Sequence, residues 1–279
     1  MNTLQIEAIV RQALMEDLGH GRDVTSELTI PSDAMAKAVL RAREPGVIAG
    51  LIVGLSAFTL SDGDFEVTLH ANDGESVEAG QDIAEIEGPA RPLLTAERVA
   101  LNFLQQMSGV ATLTAQYVEK VKGTDAKITC TRKTIPNLRA LQKYAVRCGG
   151  GYNHRSGLDD MILIKDNHIA VAGGVQQALA QVKNAGHGLK VEIEVDTIKQ
   201  LEEVLKTGGA DVVMLDNFKL ADLKKAVALV KGKIVTEASG GVTLETVRAI
   251  AETGVDYISV GALTHSAPAL DLGLDIGQI

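Results

Sequence analysis

Hydrophobic and polar positions fall into two textures that meet near residue 110. In the first, a helically spaced stretch from Leu4 to Leu18 precedes the short runs AKAVLRA, FEVTLHA and QDIAEIEG, which Gly and Asp turns separate. Alternation at period two marks strands with one buried face, so residues 1–110 read as a small α+β domain, an α/β sandwich. LLTAERVALNFLQQMSGVATLTAQYVEKV follows as one long helix or a broken pair, leading into the second part.

From Ala126 a unit repeats in shape. The apolar runs AKITC, MILI, VEIEV, DVVML, KIVTEA and YISVG read as strands, and helically spaced segments separate them. Three of those segments share one stripe: Ile198, Leu201, Val204, Leu205; Leu220, Leu223, Ala226, Val227; and Leu244, Val247, Ile250, Ala251. Spacing of i, i+3, i+6, i+7 is the face a helix lays against a sheet. Gly186, Gly208, Gly232 and Gly254 stand where these helices should stop, as left-handed C-terminal caps require. Strand and helix alternating in this way predict parallel β/α units over 111–265, in a barrel rather than an open sheet. Six strands are evident and the helical stretch before Ala126 is the place for another, so the expectation is α/β with an incomplete, seven-stranded barrel. The tail 266–279 is expected to pack back on the N-terminal domain.

A barrel of this kind builds its site from the residues that follow each strand. Those are Thr131, Arg132 and Lys133; Lys165, Asp166, Asn167 and His168; Glu194 and Asp196; Asp216 and Asn217; Glu237, Ser239, Gly240 and Gly241; and Gly261, Thr264 and His265. The early members are cationic, the middle ones carboxylates, and the last two groups rich in Gly and Ser. EASGGV and SVGALTHS read as a phosphate cradle of backbone N–H groups, with plain turns as the alternative. Glu194 and Asp216 suit sugar hydroxyls or Mg²⁺ held through water, or a salt bridge to Lys133 or Lys165. In CGGGYNHRSGLDD, Arg155 offers a planar fork that matches a carboxylate and His154 can add a donor. Arg98 is open between a helix-surface pair with Glu97 or Asp159 and a site role.

Charge sharpens this reading. The 27 Lys and Arg against 36 Asp and Glu give a net −9, which argues against phosphate polymers. Yet Thr131 to His168 holds seven basic residues and three acids, a local +4, so the rest of the chain carries −13. A cationic island in an acidic chain points to a small anionic ligand. With 3% aromatics and no Trp, base stacking is poorly served, and no nucleic-acid partner is expected. The longest apolar stretch, Gly46 to Phe58, falls short of the roughly 20 residues a membrane helix needs, so no membrane role is expected. Cys130 and Cys148 have no metal-ligand spacing and suit a reducing cytoplasm.

Several of these stretches together, TRKTIPNLR, GGGYNHRSGLDD, ILIKDNHI, VEIEVD, MLDNF, EASGG and SVGALTHS, are similar to the quinolinate phosphoribosyltransferase family. The likeness extends N-terminally through EDLGHGRDVTSE, REPGVIAG and TAERVALNFLQQMSGVAT, covering nearly the whole chain. It implies a type II phosphoribosyltransferase that joins quinolinate and phosphoribosyl pyrophosphate, with Mg²⁺ and no organic cofactor. The products would be nicotinate mononucleotide, pyrophosphate and CO₂. It implies a homodimer whose sites are shared across subunits. Carried over by motif, Arg98 from the partner subunit, Arg132, His154, Arg155 and Lys165 would hold the carboxylates of quinolinate. Lys133, Glu194 and Asp216 would handle ribose, pyrophosphate and metal, while Ser239, Gly240, Gly241, Gly261 and His265 would face phosphate. Two other classes are weighed: a Schiff-base aldolase using Lys165, and a non-catalytic binder of phosphate ligands.

Overall fold

The computed structural model describes residues 3–186 and 188–278, which divide into two compact units. The first unit runs to Ala115 and takes in Pro136–Gly150 and the chain from Ser266. It opens with α1 (Thr3–Leu18), whose buried Ile6, Val10 and Leu14 recur every fourth residue and so share one face. The short α2 (Val24–Thr29) is N-capped by Asp23, whose carboxylate accepts the Ser26 N–H at 3.0 Å. Strand β1 (Met35–Ala42) alternates exposed and buried positions, and β2 (Gly46–Val47) leads into α3 (Leu51–Thr59). Strands β3 (Glu66–Leu69), β4 (Ser76–Val77) and β5 (Asp82–Pro89) follow. FEVTLHA forms β3, but it is not half-buried. It is an edge strand paired only with β5, and its apolar Val67 and Leu69 are exposed.

The stretch after β5 is a single unbroken helix, α4 (Ala90–Val121), of 32 residues. Its residues from Gln116 belong to the second unit, together with the chain to Ile135 and Gly151–His265. There β6 (Lys127–Thr129) starts the parallel sheet, and α5 (Arg139–Cys148) departs to the first unit. The remaining elements alternate. They are β7 (Ile162–Ile164), α6 (Asp166–Ala172), α7 (Val175–Asn184), β8 (Val191–Val195), α8 (Ile198–Thr207) and β9 (Val212–Asp216). Then come α9 (Leu220–Val230), β10 (Val235–Ser239), α10 (Val247–Ala251), β11 (Tyr257–Ser259) and α11 (Ala262–His265). The sheet order is β6-β11-β10-β9-β8-β7, parallel throughout.

Each of the six apolar runs therefore becomes a strand. The extra strand does not lie before Ala126, which is helix. Its place is held by one bridging residue, Tyr152, which pairs with Thr129 on the open edge of β6. The barrel is incomplete, with its gap between Tyr152 and β7. Helix faces agree with the stripes: Leu201 and Val204 on α8, Leu223 and Ala226 on α9, Val247 and Ala251 on α10 are buried, whereas Leu244 precedes its helix. Gly208, Gly232 and Gly254 take positive φ of 68°, 70° and 87° just past α8, α9 and α10, but the left-handed cap that the sequence places at Gly232 falls one residue earlier, on Lys231, and α10 is capped by Glu252.

Neighbouring units are tied at the strand starts by a repeated device. The Asp211 carboxylate accepts the Val191 N–H and the Asp256 carboxylate accepts the Thr236 N–H, each at 2.7 Å. The chain closes in the first unit with β12 (Leu272–Gln278), antiparallel to β1 from Ala42↔Leu272 to Ala36↔Gln278. Arg41 and Arg43 pair with Asp275 across this seam. Among the described residues no helix is long and apolar enough to cross a membrane.

Candidate active site

Side chains on a strand alternate faces, so in VEIEV the two glutamates share one side of β8 while Val191, Ile193 and Val195 take the other. The same rule pairs Met214 with Asp216 on β9 and Glu237 with Ser239 on β10. Register sets Glu194 and Glu237 on either side of Met214, and Ser239 beside Asp216. These residues and the loops after β6, Tyr152 and β7 enclose a cavity of about 360 Å³.

One wall is cationic, from Arg132, Lys133, Arg155 and Lys165. The Nε atoms of Arg132 and Arg155 are buried and have no hydrogen-bond acceptor among the described residues. An unmet buried donor costs about 1–3 kcal/mol, more when charged, which an anionic ligand would recover. Burial and then the charge of Arg132 hold the Arg155 guanidinium below its ordinary range, so this wall is electrostatically loaded. Arg155 Nη1 donates to the Met161 carbonyl at 3.2 Å, which anchors the fork.

The ends of β8 and β9 bring an acidic group to the same cavity. Carboxylate oxygens of Glu194, Asp196 and Asp216 lie within 4.8 Å of one another. Lys165 Nζ stands 3.5 Å from Glu194 Oε2, so the salt-bridge alternative is realised alongside the site. Burial, and to a lesser extent the charge of Asp216, pushes the Glu194 carboxyl up, while Lys165 opposes the shift. Three hard oxygen donors at a solvent-facing rim fit a small divalent cation held partly through water.

Below that rim lies a second acidic group. His154 Nε2 is 2.9 Å from Glu192 Oε2 and 3.5 Å from Glu237 Oε2, and its Nδ1 accepts the Arg155 N–H at 2.8 Å. All three side chains are nearly closed to solvent, at 9%, 1% and 4% exposure. Burial first, and then the charge of Glu192, drives the Glu237 carboxyl far above its ordinary range.

The late turns are fixed by close approach. Gly240 has φ 94°, and a Cβ there would fall 2.1 Å from Asn217 Oδ1. Asn217 is itself left-handed at φ 54°; its Nδ2 donates to Asp216 Oδ2 at 2.6 Å and its N–H to the Ser239 carbonyl at 2.9 Å. A Cβ on Gly261 would meet His265 Nε2 at 3.1 Å and Lys133 Cδ at 3.4 Å, and Thr264 Oγ1 donates to the Lys133 carbonyl at 2.7 Å.

The structure thus brings Arg132, Lys133, His154, Arg155, Lys165, Glu194, Asp216 and Ser239 around one cavity. Gly240 and Gly241 sit in the turn after β10, Gly261 directly precedes α11, and His265 ends that helix. Arg98 lies in the first unit on α4, its exposed guanidinium 3.4 Å from Glu97. The polar run after MILI divides: Lys165 lines the cavity, whereas Asp166, Asn167 and His168 form the first turn of α6. There His168 Nδ1 accepts the Lys165 N–H at 2.9 Å, and the Asp166 carboxylate accepts the Asn167 N–H at 2.7 Å. Glu192 was no part of the strand-end reading, which stops one layer too shallow; its signal is the first acid of VEIEV, two positions before Glu194.

Comparison with known proteins agrees over the whole chain. Residues 23–108 match the family model for the quinolinate phosphoribosyl transferase N-terminal domain, and 110–275 match the C-terminal domain. The chain is 44% identical over 277 residues to the probable nicotinate-nucleotide pyrophosphorylase [carboxylating] of Bacillus subtilis, covering 99% of this chain and 95% of that one. It is 46% identical over 272 residues to the Mycobacterium leprae nicotinate-nucleotide pyrophosphorylase [carboxylating], covering 96% and 95%. The solved nicotinate-nucleotide pyrophosphorylase of Francisella tularensis superposes with a TM-score of 0.95 at 40% identity, covering 99% and 98%.

Proposed function

Because the chain belongs to the quinolinate phosphoribosyl transferase family, we propose that the barrel cavity is where its substrates meet, with the cationic wall for the pyridine dicarboxylate and the acidic wall for the sugar. The reaction moves the phosphoribosyl group of phosphoribosyl pyrophosphate to quinolinate with decarboxylation, giving nicotinate mononucleotide, pyrophosphate and CO₂ for NAD biosynthesis. The observation that carries the site assignment is the pair of buried guanidinium Nε donors, Arg132 and Arg155, without acceptors among the described residues. Quinolinate is a dianion, and two planar forks beside Lys165 match its adjacent carboxylates.

Glu194 and Asp216 line the same space, where the ribose of the donor would lie. As the C1–O bond to pyrophosphate breaks, its electron pair leaves with pyrophosphate and positive charge develops at C1. Fixed carboxylates next to that carbon stabilise the charge without reorganising. The pyridine nitrogen supplies its lone pair to form the new N–C1 bond. Once alkylated, the nitrogen is cationic, so when CO₂ departs the adjacent ring carbon can hold the bonding pair until a proton replaces the lost group. Glu194, Asp196 and Asp216 would hold Mg²⁺, which neutralises pyrophosphate charge when bound. Lys133 stands where it can meet the leaving group, and the Gly240, Gly241 and Gly261 turns with Ser239 and His265 face the 5′-phosphate. Lys165 does not suit an aldolase nucleophile: its Nζ is 3.5 Å from Glu194 and its side chain is half exposed.

We assign Arg98 to the site of a partner subunit in a homodimer, working in a reducing cytoplasm that suits two cysteines, Cys130 and Cys148, not joined in a disulfide. Arg98→Ala should be inactive as a homodimer yet regain about one working site per mixed dimer with a separately disabled Lys133→Ala chain. Failure to complement would return Arg98 to its own subunit. The central test mixes the protein with quinolinate labelled in its 2-carboxylate, phosphoribosyl pyrophosphate and Mg²⁺. Equal amounts of nicotinate mononucleotide and labelled CO₂ are expected, and Arg132→Ala and Arg155→Ala should raise KM for quinolinate at least about tenfold. An unchanged quinolinate KM in both variants would move the dicarboxylate elsewhere.

A further inference from the structure

The buried group beneath the cationic wall has no part in the reaction as derived above, although it contains two of the least exposed carboxyl groups described. We propose that Glu192 is the positioning residue of the dicarboxylate subsite: it fixes the imidazole of His154, which fixes the backbone and thereby the guanidinium of Arg155. The proposal rests on the assignment of quinolinate to the Arg132 and Arg155 wall.

One hydrogen bond and one close contact set the order of this relay. Arg155 donates its backbone N–H to His154 Nδ1 at 2.8 Å, so Nδ1 is an acceptor and the ring proton sits on Nε2. That Nε2 is 2.9 Å from Glu192 Oε2. Nδ1 is thus held by a hydrogen bond and Nε2 by a close contact with the buried carboxylate, without hydrogen-bond alignment, and His154 works as a strut under the wall. Because the strut ends on the main chain of Arg155, any tilt of the imidazole moves the base of the guanidinium fork. A displacement of that kind degrades a bidentate contact far more than a point-charge contact.

Charge gives a second reason. Arg132 and Arg155 repel each other within the cationic wall, and the charge of Glu192 offsets that repulsion at Arg155. Glu237 is the weaker candidate for this task. It stands 3.5 Å from His154 Nε2, and burial together with Glu192 favours its protonated form. Strand geometry also separates Glu192 from the other acidic group: Glu194, two residues on, occupies the next layer toward the rim. The effect of Glu192 should therefore fall on one substrate.

The experiment is steady-state kinetics on the full chain with Mg²⁺, varying each substrate in turn. Glu192→Gln keeps shape and removes charge. It should raise KM for quinolinate about tenfold, leave KM for phosphoribosyl pyrophosphate within about twofold, and leave the melting temperature unchanged or higher. Inhibition by benzene-1,2-dicarboxylate, which has both carboxylates but no attacking nitrogen, should weaken by the same factor. Glu192→Asp retains the charge and should recover part of the loss; it also serves if the glutamine variant does not fold. An unchanged quinolinate KM, or equal rises in both KM values, overturns the proposal. Arg155→Lys is the separate control: if quinolinate KM does not respond to it, the subsite assignment itself fails, whatever Glu192→Gln does.

Discussion

Two acidic groups stand one above the other in the barrel. They share β8, yet Glu192 with Glu237 and His154 forms a closed layer, while Glu194 with Asp196 and Asp216 forms an open one. One step of two residues along a strand, about 6.6 Å, separates Glu192 from Glu194. Below, the carboxyl groups are under 5% exposed and face an imidazole; above, they face Lys165 and solvent. Identical chemical groups thus take different tasks according to depth: the upper layer is open to a ligand or cation, whereas in the lower layer His154 and Glu237 reach the cavity lining and Glu192 does not.

That contrast can be broken experimentally, and the upper layer should yield the largest effect. Glu194→Ala combined with Asp216→Ala should lower kcat by at least about a hundredfold, because charge developing at the sugar carbon loses its fixed counter-charge. Inhibition by benzene-1,2-dicarboxylate should survive the change, and loss of that inhibition would show that the layers are not separable. Next in size, Lys133→Ala and Lys165→Ala should each reduce turnover more than about tenfold with circular dichroism unchanged. Near-normal turnover in both would remove their assigned roles.

The lower layer should announce itself in stability. Glu237 is held above its ordinary range in the folded protein, so from the ordinary carboxyl range up to about pH 8 the native state binds a proton that the unfolded chain has released. Stability from this group therefore falls as pH rises through that window. Melting temperatures from pH 5 to 8 should decline less in Glu237→Gln than in the parent. Parallel curves would mean the carboxyl group is not held this way. The smallest effect is expected at Asn217→Gly, which removes the hydrogen bond to Asp216 but also the left-handed backbone cost. KM for phosphoribosyl pyrophosphate should rise about threefold without loss of melting temperature, a change of the size one neutral hydrogen bond gives.

The upper layer was legible in sequence and the lower one was not, for a physical reason. Apolar runs closed by Gly locate strands and helix ends, and a parallel barrel then places the residues after each strand on a common rim. Arg132, Lys165, Glu194 and Asp216 follow from that rule alone. Helix starts select the same polar residue types as chemistry does, which is why Asp166, Asn167 and His168 resemble site residues but turn out to begin α6. Tyr152 escaped notice because a one-residue bridge leaves no apolar run. Glu192 escaped because an acid inside a strand normally faces solvent; here the alternation of VEIEV turns it inward, and only the position of His154, supplied by a distant loop, makes that tolerable.

Asn217 and Gly240 carry a consequence for how such a chain can vary. The asparagine amide occupies the space a Cβ at position 240 would need, and that amide also holds Asp216. A side chain arriving at 240 while Asn217 remains would collide with it, and loss of the amide would free an aspartate at the reaction centre. Position 240 is therefore restricted twice over, by that amide and by a φ of 94° that any side chain would strain, so it should stay glycine even in lineages where 217 changes.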